Sequence, residues 1–253
     1  MSRVLAVANQ KGGVGKTTTV VSLGAFLAAA ERRVLVVDVD PQANATSSLG
    51  IDKQGVVASV YDVIVSGMPL DSALMLTRRV GLDLIPSTPA LAGAEIELVS
   101  IPRREHRLKD ALAPVRDRYD YVLLDCPPSL GLLTVNALVA ADEVIIPVQC
   151  EYLPMEGLAQ LMRSIELVRH HLNPALGVRG LLMTMYDART SLAQQVVDEV
   201  RAHFPDRTFQ TVVPRSVRLS EAPSYGEPIL DYAPHSPGGA AYGALAKEIL
   251  NSE

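Results

Sequence analysis

Ten residues near the start, Asn9-Gln10-Lys11-Gly12-Gly13-Val14-Gly15-Lys16-Thr17-Thr18, restrict this chain more than any other stretch. The apolar run Val4-Leu5-Ala6-Val7-Ala8 leads into them, and an alanine- and valine-rich helical run over 19–30 follows. A strand, a glycine-rich turn and a helix in that order make a phosphate loop, whose usual pattern is Gly, four residues, then Gly-Lys-Ser/Thr. Gly15-Lys16-Thr17 fits the ending, while Gln10 stands where the first glycine belongs. Gly12, Gly13 and Gly15 are expected to take positive φ and turn backbone N–H groups inward as an anion nest. The helix opening near Lys16 adds the positive end of its dipole. Lys16 is then placed to reach β- and γ-phosphates, and the Thr17 hydroxyl to ligate Mg²⁺. The candidate nucleotide-binding residues are Lys11, Gly12, Gly13, Val14, Gly15, Lys16, Thr17 and Thr18.

Two further apolar runs end in acids. Val34-Leu35-Val36-Val37 enters Asp38-Val39-Asp40-Pro41-Gln42, and Tyr121-Val122-Leu123-Leu124 enters Asp125-Cys126-Pro127-Pro128. Short, continuous apolar runs of this kind read as fully buried parallel strands. Asp38 and Asp40 occupy alternate positions, so they lie on one side of an extended chain. At the C-terminal end of a strand beside a phosphate loop they face the nucleotide crevice. Asp125 is the single carboxylate that a buried strand delivers to Mg²⁺ and its waters. Cys126 reads as a small packing residue.

Leu82 to Pro86, Glu143 to Val148, Val178 to Met185 and Thr208 to Val213 read as further strands. Helices are expected over 56–65, 90–99, 104–115, 129–140, 156–172 and from 190 to about 203, with the small polar residues of Asn44 to Gly50 forming a loop. This alternation predicts an α/β fold, with a mostly parallel central sheet flanked by helices on both faces. A length of 253 residues suits a single domain over 1–253. No apolar run approaches the length that spans a bilayer. Met1-Ser2-Arg3 enters the first strand at once, leaving no room for a secretory signal. Cys126 and Cys150 are too few for a disulfide framework or metal knuckle, so a cytoplasmic protein is expected. With a formal charge of −5, any DNA affinity must come from a local basic patch and be salt-sensitive. The arginine-rich stretch 103–118 reads as a solvated crossover-helix face in preference to a binding surface.

Lys11 is a second cation inside the loop. It crowds Lys16 unless a strongly anionic ligand, or a second subunit's ligand, lies between them; a lysine pointing to solvent is the alternative. Lys-Gly-Gly-Val-Gly-Lys-Thr resembles the deviant Walker A motif of the ParA/MinD superfamily of P-loop ATPases. The likeness to its short ParA/Soj branch extends over the whole chain, through Asp38 to Gln42, Asp125 to Pro128, Thr184-Met185-Tyr186-Asp187, and Pro214-Arg215 to Ser224. This resemblance implies a Mg²⁺-dependent ATPase in which ATP closes a sandwich homodimer and Lys11 reaches the partner's phosphates. It implies that Lys11, Lys16 and Asp40 serve hydrolysis, Asp40 by positioning the attacking water. Thr17 and Asp125 would hold the metal with support from Asp38. Pro214 and the residues after it, Ser216 included, would line the adenine pocket, although the family often carries asparagine where Ser216 stands. Arg189 and Arg218 would contribute to non-sequence-specific DNA binding, a ParB-type partner would stimulate hydrolysis, and the protein would be nucleoid-associated. The chain has no room for the N-terminal helix-turn-helix domain of the longer plasmid relatives.

Two other readings compete. A MinD-like membrane-cycling ATPase needs a basic amphipathic C-terminal helix, but Ala240 to Glu253 has Lys247 as its only base. A metabolic enzyme of the dethiobiotin synthetase type needs a small-molecule pocket, which the sequence does not reveal.

Overall fold

The computed structural model describes residues 2–151 and 154–252. Eight strands form one sheet: β1 (Arg3–Val7), β2 (Val34–Asp38), β3 (Met75–Leu76), β4 (Leu82–Ile85), β5 (Tyr121–Asp125), β6 (Glu143–Gln149), β7 (Gly177–Tyr186) and β8 (Thr208–Pro214). Their order is β3-β4-β2-β5-β1-β6-β7-β8, and only the β3–β4 pair is antiparallel. The helices are α1 (Lys16–Ala29), α2 (Asn44–Ser48), α3 (Val60–Ile64), α4 (Leu91–Glu97), α5 (Arg107–Leu112), α6 (Leu132–Ala140), α7 (Pro154–His171), α8 (Ser191–His203), α9 (Val217–Glu221), α10 (Ile229–Tyr232) and α11 (Pro237–Leu250).

The two-residue period of the strands builds a core on each face. Val4 and Ala6 of β1 join Leu35 and Val37 of β2 against α3 to α8, whereas Leu5 and Val7 join Val34 and Val36 against α1, α2, α10 and α11. Helices thus cover both faces, as the alternation of elements predicts, and the whole is a single-domain α/β fold. Register matters more for the site. Val7 and Asp38 are both paired with Asp125, so the phosphate loop and two acids leave the sheet at one level on three adjacent strands.

Several expected boundaries move. Residues 44–48 form α2 and not a loop, because Ala43 turns the chain in a left-handed conformation (φ 54°) and Thr46 anchors the turn to Asp38. The helix expected from Val56 begins at Val60, where Ser59 and Asp62 make a capping box. The one expected from Ser129 begins at Leu132. The edge strand β3 has only two residues, too few to leave a periodic signal. In the stretch 103–118, Arg103 pairs with Asp110, Arg104 with Glu105, Arg116 with Asp142 and Arg118 with Asp71.

Candidate nucleotide site

The loop turns through Gly13 (φ +73°) and Gly15 (φ +90°), backbone conformations that cost other residues strain. Gly12 does not take positive φ, so the expectation of three left-handed glycines holds for two. Gly15 caps α1 without a side-chain hydrogen bond, and the first turn holds no acid. The helix therefore presents backbone N–H groups with no side-chain acceptor of its own, the arrangement that receives an anion. Asn9 braces the entry: its amide donates to the Pro147 carbonyl (2.7 Å), and its oxygen accepts from the Lys11 N–H (3.0 Å). Thr184, from the end of β7, donates to the Val14 carbonyl (2.9 Å) and closes the loop from the other side.

Lys16 is buried and its ammonium donates to the Lys11 carbonyl at 3.2 Å. Burial lowers its pKa, opposed chiefly by the charge of Asp125. The Thr17 hydroxyl donates to Asp125 Oδ2 at 2.7 Å. Asp125 is fully buried, and its Oδ1 has no hydrogen-bond partner. Burial, and next the charge of Asp38, push the Asp125 carboxyl well above the usual carboxylate range. Two acids side by side, one with an orphaned oxygen beside a threonine hydroxyl, form the hard oxygen donor set that suits Mg²⁺. The residues present fit that ion.

Asp38 sits deeper. Its Oδ2 accepts from the Thr46 N–H (2.8 Å) and hydroxyl (2.7 Å), and its Oδ1 from the Asp40 N–H (3.2 Å). Burial raises its pKa to about 6. Its oxygens hold the turn between β2 and α2 in shape, so it supports the site from behind. Asp40 is 6 % exposed and accepts from the Gln42 N–H (2.9 Å).

A cavity of about 250 Å³ opens beside the loop, lined among others by Gly15, Thr18, Met185, Pro214, Ser216 and Tyr242. It joins the loop to the ends of β7 and β8. Lys11 is exposed, outside the buried cluster. Arg189 follows β7, and Arg218 lies in α9 after β8; both are exposed and stand apart from the buried acids. Sequence reasoning missed Asn9, Thr46 and Thr184 as positioning residues. Asn9 adjoins the loop and was within reach of local turn chemistry. Thr184 acts across 170 residues, whereas Thr46 reaches back only eight, to Asp38, from a stretch whose composition reads as a loop.

A nest of N–H groups, a buried lysine and a hydroxyl set against a strand-end carboxylate, all at the C-terminal edge of a parallel sheet, define a P-loop nucleotide-binding protein. Residues 2–178 match a family model described as an AAA domain. The chain is 56 % identical over 249 residues to the sporulation initiation inhibitor protein Soj of Bacillus subtilis, covering 98 % of each chain. It is 51 % identical to the chromosome partitioning protein ParA of Myxococcus xanthus, covering 100 % of this chain and 89 % of that one. A structure titled cobyrinic acid a,c-diamide synthase from Mycobacterium smegmatis, with bound ADP and magnesium, superposes with a TM-score of 0.88 at 42 % identity, over 99 % of this chain and 95 % of that one. The chain belongs to the Soj/ParA family of chromosome-partitioning ATPases.

Proposed function

We propose that the protein is an ATP-driven switch for DNA segregation, dimeric and DNA-bound with ATP and released after hydrolysis. The observation that carries the reading is the Thr17–Asp125 contact beside buried Lys16, with one Asp125 oxygen unpartnered. Thr17 and Asp125 would hold Mg²⁺, which supplies charge neutralisation at the β- and γ-phosphate oxygens. Lys16 and the backbone N–H groups after Gly13 bind the phosphates, and the burial of Lys16 strengthens its attraction to them. Asp40 orients the attacking water, while Asp38 keeps the Asp40 turn in place through Thr46. Pro214 and Ser216, with Thr18, receive the adenine in the cavity beside the loop.

Exposed Lys11 reaches the phosphates of a second copy, so that each subunit completes the other's site. The paired subunits present Arg189 and Arg218 to DNA backbone without reading bases, and a ParB-type partner accelerates hydrolysis. The protein is then cytoplasmic and nucleoid-associated. Support comes from the family membership and from the placement of both arginines at the ends of two neighbouring strands, exposed to solvent.

The membrane-cycling reading fares worse. The apolar side of α11, the element a membrane-cycling relative would lend to lipid, is buried here through Tyr242, Leu245, Ala246 and Ile249. No helix among the described residues is long and apolar enough to cross a membrane.

The test is retention on non-specific duplex DNA with ATP and Mg²⁺. Lys16→Ala is expected to lose it, and Asp40→Ala, trapped before hydrolysis, to keep it. Full ATP-dependent binding by Lys16→Ala would refute the switch.

A further inference from the structure

The exposed arginines that follow β7 and β8 each have a carboxylate beside them. Arg189 donates to Asp187 through Nε (2.8 Å) and Nη2 (2.7 Å), in the two-pronged geometry a phosphate would also accept. Arg218 donates through Nη1 to Glu221 Oε2 at 2.9 Å. That same oxygen accepts from the Tyr232 hydroxyl at 3.0 Å, and the Tyr232 ring stacks on Tyr225 with centroids 4.9 Å apart. Arg215, between the two, lies 3.8 Å from Glu151. The side chains of Arg189, Arg215 and Arg218 are 87 %, 65 % and 58 % exposed, so each is open to solvent yet paired with an acid of its own chain.

Arg215 leaves the sheet beside the turn that carries Asp187 and Arg189, and Arg218 follows it by three residues in α9. Tyr186 is paired with Pro214 across β7 and β8, and the Arg215 N–H donates to the Tyr186 carbonyl at 2.9 Å. The surface also adjoins the nucleotide cavity, whose wall includes Met185, Arg215, Ser216 and Leu219. Met185 holds a left-handed backbone (φ 53°) two residues before Asp187. Arg215 lines the cavity itself, while Arg189 and Arg218 stand in the chain four residues after Met185 and one before Leu219, two other residues of its wall.

We propose that Asp187 and Glu221 mask a cationic surface formed by Arg189, Arg215 and Arg218, so that a nucleic-acid phosphate binds only by displacing carboxylates of the same chain. This deepens the DNA-binding reading given above and rests on it. Arg215 is the third member of the surface, which the sequence does not single out. An acid beside each arginine weakens every single phosphate contact. Two copies in a dimer multiply the small gains left over, so the mask confines useful affinity to the ATP-bound pair. The Arg189 guanidinium also holds Asp187 well below the usual carboxylate range, so the mask is charged at any pH the cell reaches.

The experiment measures equilibrium binding to a fluorescent non-specific DNA duplex, with ATP and Mg²⁺, across a salt series. Asp187→Asn and Glu221→Gln should each tighten binding by about two- to fivefold at low salt, the range one exposed ion pair spans, with the gain shrinking as salt rises. Glu166→Gln is the control. It removes an identical charge from an i,i+3 pair with Arg169 near the end of α7, which leads into the start of β7 and so lies at the other edge of the sheet. If Asp187→Asn and Glu221→Gln bind no tighter than Glu166→Gln, while Arg189→Ala and Arg218→Ala weaken binding, the mask is refuted and the DNA-facing surface stands. If the arginine variants bind like wild type, the DNA reading itself fails and takes the mask with it.

Discussion

Replacing Asp125 with asparagine should stabilise the protein when metal and nucleotide are absent, and disable it when they are present. Asp125 is fully buried beside Asp38, and its Oδ1 has no partner. The amide is nearly the same shape, keeps an oxygen for the Thr17 hydroxyl and removes a charge that burial opposes. Replacing buried charge with a neutral group of similar volume is commonly worth on the order of 2 kcal/mol. In a chain of this size that raises Tm by about 4–8 °C. The sign follows from linkage. The folded-state pKa of Asp125 lies above its unfolded value, so the wild type is fully stabilised below the unfolded pKa and loses that stability as pH rises through the folded one. The advantage of Asp125→Asn is therefore present at neutral pH and absent below about pH 4. Saturating Mg²⁺ and ATP reverse the order, since a ligand at a hundred times its Kd adds about 2.7 kcal/mol to a form that binds it. Scanning calorimetry at pH 4 and pH 7.5, with and without Mg²⁺ and ATP, checks every arm. A lower Tm for Asp125→Asn at pH 7.5 without ligand would refute the reasoning.

Thr184→Val keeps the shape of a buried side chain but strips the Val14 carbonyl of its donor; it should cost about 1–3 kcal/mol of stability in chemical denaturation and raise KM for ATP more than it lowers kcat. Glu95 of α4 accepts from the N–H groups of Leu132 (2.9 Å) and Leu133 (3.3 Å), standing in for the side-chain cap that Gly131 cannot give α6. Glu95→Ala should lower stability by about 1 kcal/mol, read from the denaturation midpoint.

How far the residues foretold the site differs from one to the next. The phosphate loop was legible because its chemistry is local: Gly15, Lys16 and Thr17 must be neighbours for one turn to cradle one anion. The acids at the ends of β2 and β5 were legible in context, since an apolar run ending in aspartate has a meaning beside such a loop. Asn44 to Gly50 misled, because asparagine, threonine and serine favour turns until a buried partner gives them something else to bind. Thr46 has that partner in Asp38. Glu95 could not be assigned at all, being an exposed-type residue whose hydrogen-bond donors lie on another helix.

Backbone periodicity and turn chemistry act over a few residues, and they alone determined that strands alternate with helices, that the sheet is mostly parallel and that a phosphate-binding turn follows the first strand. The order of the strands came from packing. Only the insertion of β5 between β1 and β2 brings Asp125 to within 2.7 Å of a hydroxyl 108 residues earlier in the chain, and to the level of Asp38. Which strand lies beside which is decided by the fit of two buried faces taken whole, and contact between residues so far apart leaves no trace in either one's immediate neighbours.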